Sequence, residues 1–104
     1  MNKNKWYSLT KAQQIGNIGS EIARAAYWEN HNDLVNRNKA LERSLDLLDL
    51  TLNDRRWKAG IKEIARFREV VSAQYCNDEF FNITLRELEE FCINFVINNG
   101  RKSA

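Results

Sequence analysis

TKAQQIGNIGSEIARAAYW, residues 10–28, decides how this chain folds. Thr10 followed three residues later by Gln13 is the spacing of a capping box, in which two side chains satisfy backbone N–H groups that a helix start leaves without partners. Ile15, Ile18, Ile22 and Ala25 then recur at steps of three and four, the spacing of one helical face. Beside them runs a row of small residues, Gly16, Gly19, Ala23 and Ala26. A glycine inside a helix costs roughly 1 kcal/mol relative to alanine, so two of them predict close approach of a second helix backbone. The competing reading, a phosphate cradle, requires a preceding strand and a helix beginning at the glycines, and Gly16 and Gly19 have neither. The first helix is predicted from Thr10 to about His31, with Trp6, Tyr7, Tyr27 and Trp28 as aromatic lids at its ends.

Outward from this helix, three more segments share its period. Residues 33–53 carry Leu34, Leu41, Leu45, Leu48 and Leu52 as a lengthwise seam, with Leu47 and Leu50 off it, so this helix is predicted to touch more than one neighbour. Its opposite side presents Glu42, Asp46, Asp49 and Asn53. A carboxylate metal site there would need inward-facing acids and histidine partners from other helices. With His31 the sole histidine, a solvated face is expected and no metal. A third helix is predicted from Arg56 to Tyr75, with Trp57, Ile61, Ile64, Ala65, Val71 and Tyr75 inward and Arg55, Lys58, Lys62 and Arg66 stacked on another face. Residues 55–68 hold six basic residues against Glu63, while residues 78–90 hold five acidic residues against Arg86. The basic row either pairs with acidic rows of neighbouring helices or faces a phosphate backbone.

Residues 76–83, with Phe80 and Phe81, show no clear period and read as a link. That aromatic pair either closes the open end of the helices or docks a partner. Thr84 and Glu87 form a second capping box, flanked by Ile83 and Leu88 at the two positions of a hydrophobic staple. Leu85, Leu88, Cys92, Phe95 and Val96 continue an inner face, which Phe91, Ile93 and Ile97 widen beyond what one interface requires. Asn99-Gly100 is the predicted stop. These segments predict an all-α chain: an antiparallel up-down four-helix bundle, three helices long and one shorter, in a single domain spanning residues 1–104.

Composition narrows the function classes. A hydrophobic content of 43% excludes a chain disordered throughout, and no apolar run approaches the ~20 residues of a membrane span. The N-terminal MNKNK is not followed by an apolar stretch, so no secretory signal is read and a cytoplasmic protein is expected. Cys76 and Cys92 lack the paired spacing of a zinc or redox motif and read as small core-side groups. Thirteen asparagines and no proline read as codon bias. No cofactor, membrane partner or small-molecule substrate is indicated.

No nucleophile elbow, P-loop or zinc-protease motif is present. Arg24 and His31, with six residues between them, resemble the Arg-x4-6-His motif of HEPN-domain ribonucleases. That resemblance implies proton transfer by His31 and stabilisation of phosphate charge by Arg24. The alternative is a solvated helix-end histidine, whose cation suits the helix dipole. GNIGSEIARA at 16–25, ALERSLDLLDLT at 40–51 and EIARFREV at 63–70 resemble short microbial helical proteins. In outline these are similar to the four-helix-bundle accessory proteins of diversity-generating retroelements and to the proteins encoded in ribosomal RNA intervening sequences. The resemblance implies self-association into ring-like oligomers and, for some members, nucleic-acid binding.

The expectation from sequence is therefore a non-enzymatic binding or assembly module, homo-oligomeric or a small accessory subunit of a larger cytoplasmic complex. Leu47, Leu50, Phe80, Phe81, Phe91 and Ile97 are its candidate partner surface. Nucleic-acid binding through Arg55, Lys58, Lys62 and Arg66 is the alternative, and a HEPN-like ribonuclease the second.

Overall fold

The computed structural model describes residues 2–77 and 82–102, with side chains described through residue 99. Phe80 and Phe81 lie outside the described residues. The described chain is all-helical: α1 (Lys3–Ser8), α2 (Lys11–Asn30), α3 (Leu34–Leu52), a 3-10 segment (Arg55–Gly60), α4 (Ile61–Tyr75) and α5 (Leu85–Lys102).

Both capping boxes form as the sequence predicts. Thr10 Oγ1 accepts from the Gln13 amide at 3.1 Å while Gln13 Oε1 accepts from the Thr10 amide at 2.9 Å. At the start of α5, Thr84 Oγ1 accepts from the Glu87 amide at 3.1 Å, and Ile83 and Leu88 both join the hydrophobic core. A cap of this kind contributes about 1 kcal/mol, enough to fix where a helix begins.

The turn between α2 and α3 is set by backbone chemistry. Asn32 adopts φ 58°, in the left-handed region where asparagine is tolerated better than most side chains. The Asn32 and Asp33 amides then donate to the Glu29 and Trp28 carbonyls, closing a Schellman motif, and the Asp33 side chain caps α3. Asn77 and Asn82 share this conformation, at φ 56° and 48°. Codon bias is therefore no sufficient reading of the asparagines: three of them shape helix ends and links.

Helix α2 packs along α3 and α5, and α3 packs along α4. Ile15, Ile18, Ile22 and Ala25 are all buried, so the face read from residues 10–28 is the centre of the core. The glycine row meets α5 at close range. A Cβ on Gly19 would lie 2.8 Å from Cys92 Cβ of α5, whereas one on Gly16 would make an ordinary 3.7 Å contact with Val96. Cys92 is buried there, and burial pushes its thiol up to about 12.

Several expectations are corrected. Trp6 and Tyr7, expected as lids before the first helix, lie on a short helix of their own, α1, which the four-segment reading did not include and whose Trp6 is fully buried. The segment read as one helix from Arg56 is split, because Asp54 caps a 3-10 turn and α4 starts only after Gly60. Leu34, on the predicted seam, is 59% exposed, and Ala65 is exposed, while Phe67 and Val70 are buried in its stead. Cys76 is exposed rather than on the core side. Helix α5 passes the predicted stop and runs to Lys102. The acidic side of α3, by contrast, is exposed at Glu42, Asp46, Asp49 and Asn53 as expected, with two surface contacts added: Asp49 pairs with Arg68 of α4 at 2.5 Å, and Tyr75 donates to Glu42 at 2.7 Å.

Sequence reading also missed a buried polar cluster that fastens α1 and the 3-10 segment to α2 and α3. Gln14, fully buried, donates to the Trp6 carbonyl and to Asp54 Oδ2, both at 3.0 Å, and accepts from the Trp57 indole at 2.7 Å. The Trp6 indole donates to Thr51 Oγ1 at 3.1 Å. Asp54 also receives Arg56, whose guanidinium holds that carboxyl far below the usual carboxylate range. Among the described residues, each buried side-chain nitrogen or oxygen has a partner.

Candidate interaction groove

Of the sequence-derived candidates, Arg24, Leu47, Leu50, Lys62, Arg66, Phe91 and Ile97 line three grooves between helices. The first lies between α2 and α3 and is lined by Glu21, Arg24, Arg43, Asp46, Leu47 and Leu50 among others. Glu21 is buried and takes both Arg24, at 2.5 Å, and Arg43. Sequence reasoning missed Glu21; its place one turn before Arg24, with Arg43 on the next helix, was the available sign. Leu47 and Leu50 are half-buried and pack against the core from this groove.

His31 lies outside it, at the C-cap of α2. Its Nδ1 sits 2.8 Å from the Tyr27 carbonyl, which can only accept, so Nδ1 carries a proton. The imidazole also stacks on Tyr27, with centroids 4.2 Å apart. Arg24 and His31 are seven residues apart, roughly 10 Å along a helix axis, and Arg24 is turned to Glu21. Among the described residues, nothing brings the two side chains to one point. Among the described residues, no three His, Cys, Asp or Glu side chains converge as metal ligands would.

The second groove runs between α2 and α5, where Gly16, Gly19 and Ala23 face Ile93, Val96 and Ile97. The third runs between α4 and α5 and has a volume of about 490 Å³. Phe67, Val70, Ile83, Leu88 and Phe91 make its apolar floor, and Lys62, Glu63, Arg66 and Glu87 stand around it. Phe67 and Phe91 face each other across it, with ring centroids 5.3 Å apart.

This distribution separates residues that sequence reading grouped. Phe91 and Ile97 are 48% and 47% exposed, yet Phe91 lines the α4/α5 groove and Ile97 the α2/α5 groove, on opposite flanks of α5. The basic row divides as well. Arg55 and Lys58 sit on the 3-10 segment before the Gly60 break, while Lys62 and Arg66 sit on α4. Two basic candidates and one aromatic candidate thus meet at one place, the α4/α5 groove, together with two carboxylates. It combines an apolar floor with charges of both signs. No protein-family model, curated protein or solved structure matches this chain.

Proposed function

We propose that this protein is a non-enzymatic binding module, an antiparallel up-down four-helix bundle with α1 and the 3-10 segment as additions, whose α4/α5 groove receives a protein partner. Register supports the bundle. Glu21 meets Arg43 and Glu29 meets Arg37 between α2 and α3, Gly19 meets Cys92 and Gly16 meets Val96 between α2 and α5, and Asp49 meets Arg68 while Arg37 meets Gln74 between α3 and α4. In each pair, numbers fall along one helix as they rise along the other. The cytoplasm is the proposed location, where unpaired thiols such as Cys76 and Cys92 persist.

The observation that carries the binding role is Phe91. A phenylalanine about half exposed beside a buried apolar floor leaves surface that a partner's side chains can bury, at roughly 25 cal/mol per Å². Glu63 and Glu87 beside Lys62 and Arg66 favour a protein of mixed charge over a phosphate backbone, which both carboxylates would repel. The engagement of Arg24 by Glu21 and the separate place of His31 favour binding over hydrolysis of RNA.

A photo-crosslinking residue placed at position 91, compared with one at exposed Lys3, tests the role in cells that make the protein. A discrete protein adduct formed from position 91 alone supports it. No adduct, or the same adducts from both positions, overturns it.

A further inference from the structure

Away from the α4/α5 groove, we propose that the end of the molecule where α1, the start of α2 and the 3-10 segment meet binds the phosphate backbone of a nucleic-acid duplex without reading its sequence. Charge is sorted along this chain. Residues 1–20 and 53–60 hold six basic residues against Asp54, which leaves ten basic and thirteen acidic residues to the remainder. The fold draws the two stretches together. Gln14 of α2 donates both to the Trp6 carbonyl of α1 and to Asp54, and the Lys11 ammonium lies 5.1 Å from the centroid of the Trp57 ring.

The cations gathered there act outward. Lys3, Lys5, Arg55 and Lys58 are exposed, and among the described residues none of the four pairs with a carboxylate. Elsewhere Arg24, Arg37, Arg43, Arg68 and Arg86 each pair with one. The one acid of the two stretches is turned inward, since Asp54 is buried and takes Arg56 and Gln14. A phosphate that reaches these four cations therefore breaks no ion pair of theirs.

The chemistry of the surface narrows the partner. None of the exposed large apolar side chains, Tyr27, Leu34, Val35, Phe91, Ile93 and Ile97, stands on α1, on the first turns of α2 or on the 3-10 segment, and Trp6 and Trp57 are buried. A protein partner calls for an apolar centre, a lipid surface for apolar side chains that insert, and a single strand for open rings on which its bases stack. A duplex backbone requires only unpaired positive charge, and counterion release drives that contact whatever the sequence.

Fluorescence anisotropy of labelled DNA and RNA duplexes of about 20 base pairs, each in two unrelated sequences, tests this on the full chain. Four phosphate contacts give an affinity that falls roughly a hundredfold between about 50 and 200 mM salt. Lys5→Gln with Lys58→Gln should weaken binding about tenfold and flatten its salt dependence, whereas Lys39→Gln with Arg86→Gln, exposed cations on α3 and α5, should change neither. Far-UV circular dichroism checks that both pairs of variants remain helical, and Lys3→Gln with Arg55→Gln repeats the test if the first pair does not. Binding that ignores salt, a tenfold preference for one sequence, or equal losses in the end and control variants overturns the proposal. So does the absence of binding to every duplex at the lowest salt; sedimentation with phosphatidylcholine vesicles carrying phosphatidylserine then shows whether the same cations serve a membrane instead. None of these outcomes bears on the position-91 adduct, so this site and the groove stand or fall separately.

Discussion

The end where Trp6, Gln14, Thr51, Asp54 and Trp57 meet and the flank where Phe67 meets Phe91 both place aromatic rings beside polar groups, with opposite results. At the first, each indole N–H is hydrogen-bonded and both tryptophans are almost wholly buried. At the second, Phe91 keeps half its surface, and Glu87 bonds back to Thr84 at the start of its own helix rather than beneath the ring. The difference lies in how the elements meet. Two short pieces, α1 and the 3-10 segment, are fastened across the first by side-chain hydrogen bonds, whereas α4 and α5 meet through ring contact over a groove. Aromatic residues alone therefore do not distinguish a fastening from an opening; the partners of their polar neighbours do.

The comparison breaks most visibly under truncation. Trp6→Ala is expected to destabilise the fold by about 4 kcal/mol, since it opens a cavity and removes a hydrogen bond, while Phe91→Ala costs the monomer about 1 kcal/mol. Urea unfolding of the two variants measures this, and similar losses would show that the flank is as integral as the end. The glycine row sharpens it next. Gly19→Ala drives a methyl against Cys92 Cβ, which cannot move without its backbone, and should cost about 2 kcal/mol. Gly16→Ala fits at ordinary contact distance and should gain up to about 1 kcal/mol from helix propensity. Thermal melts of the pair, moving in opposite directions, would locate the closest helix contact at Gly19 alone.

Acid is expected to have the smallest effect, and to act on the fastened end. The Asp54 carboxyl is held low by Arg56 first and by Gln14 next, so its contribution is present above the unfolded carboxylate value, about 3.9, and is lost as pH falls toward its folded value. The native state binds fewer protons, and lowering the pH therefore favours unfolding. Asp54→Asn should flatten this part of a stability profile measured below pH 4; an unchanged slope would mean that other carboxylates dominate it.

Much of the fold was legible because it rests on local rules. The capping boxes at Thr10 and Thr84 and the Ile15–Ala25 face each depend on residues within a few positions of one another. The small-residue row went further, since two interior glycines imply a neighbour, though not that the neighbour is Cys92. What escaped is chemistry between distant residues. Gln14 reads as one more polar helix residue until α1, Asp54 and Trp57 arrive around it from 8, 40 and 43 positions away. The break at Gly60 escaped for a related reason: the apolar spacing of Trp57 and Ile61 suits an α-helix, while the chain opens there on a 3-10 segment capped by Asp54. Of the candidate site, the residue types were legible and their grouping was not. Phe91 and Ile97 both widen α5, and which groove each lines depends on neighbours that periodicity does not specify.

The tight seat of α5 on Gly19 has a kinetic corollary. Thiol reagents attack the thiolate, and a thiol held at about 12 presents only about one part in ten thousand of it at pH 8, behind packed helices. Cys76 stands in the open on the same chain. Alkylation should then proceed in two phases, a prompt one at Cys76 and a slow one at Cys92 whose rate counts excursions of α5 away from α2. The chain carries both the clock and its reference, so the breathing of one helix can be timed without attaching a probe.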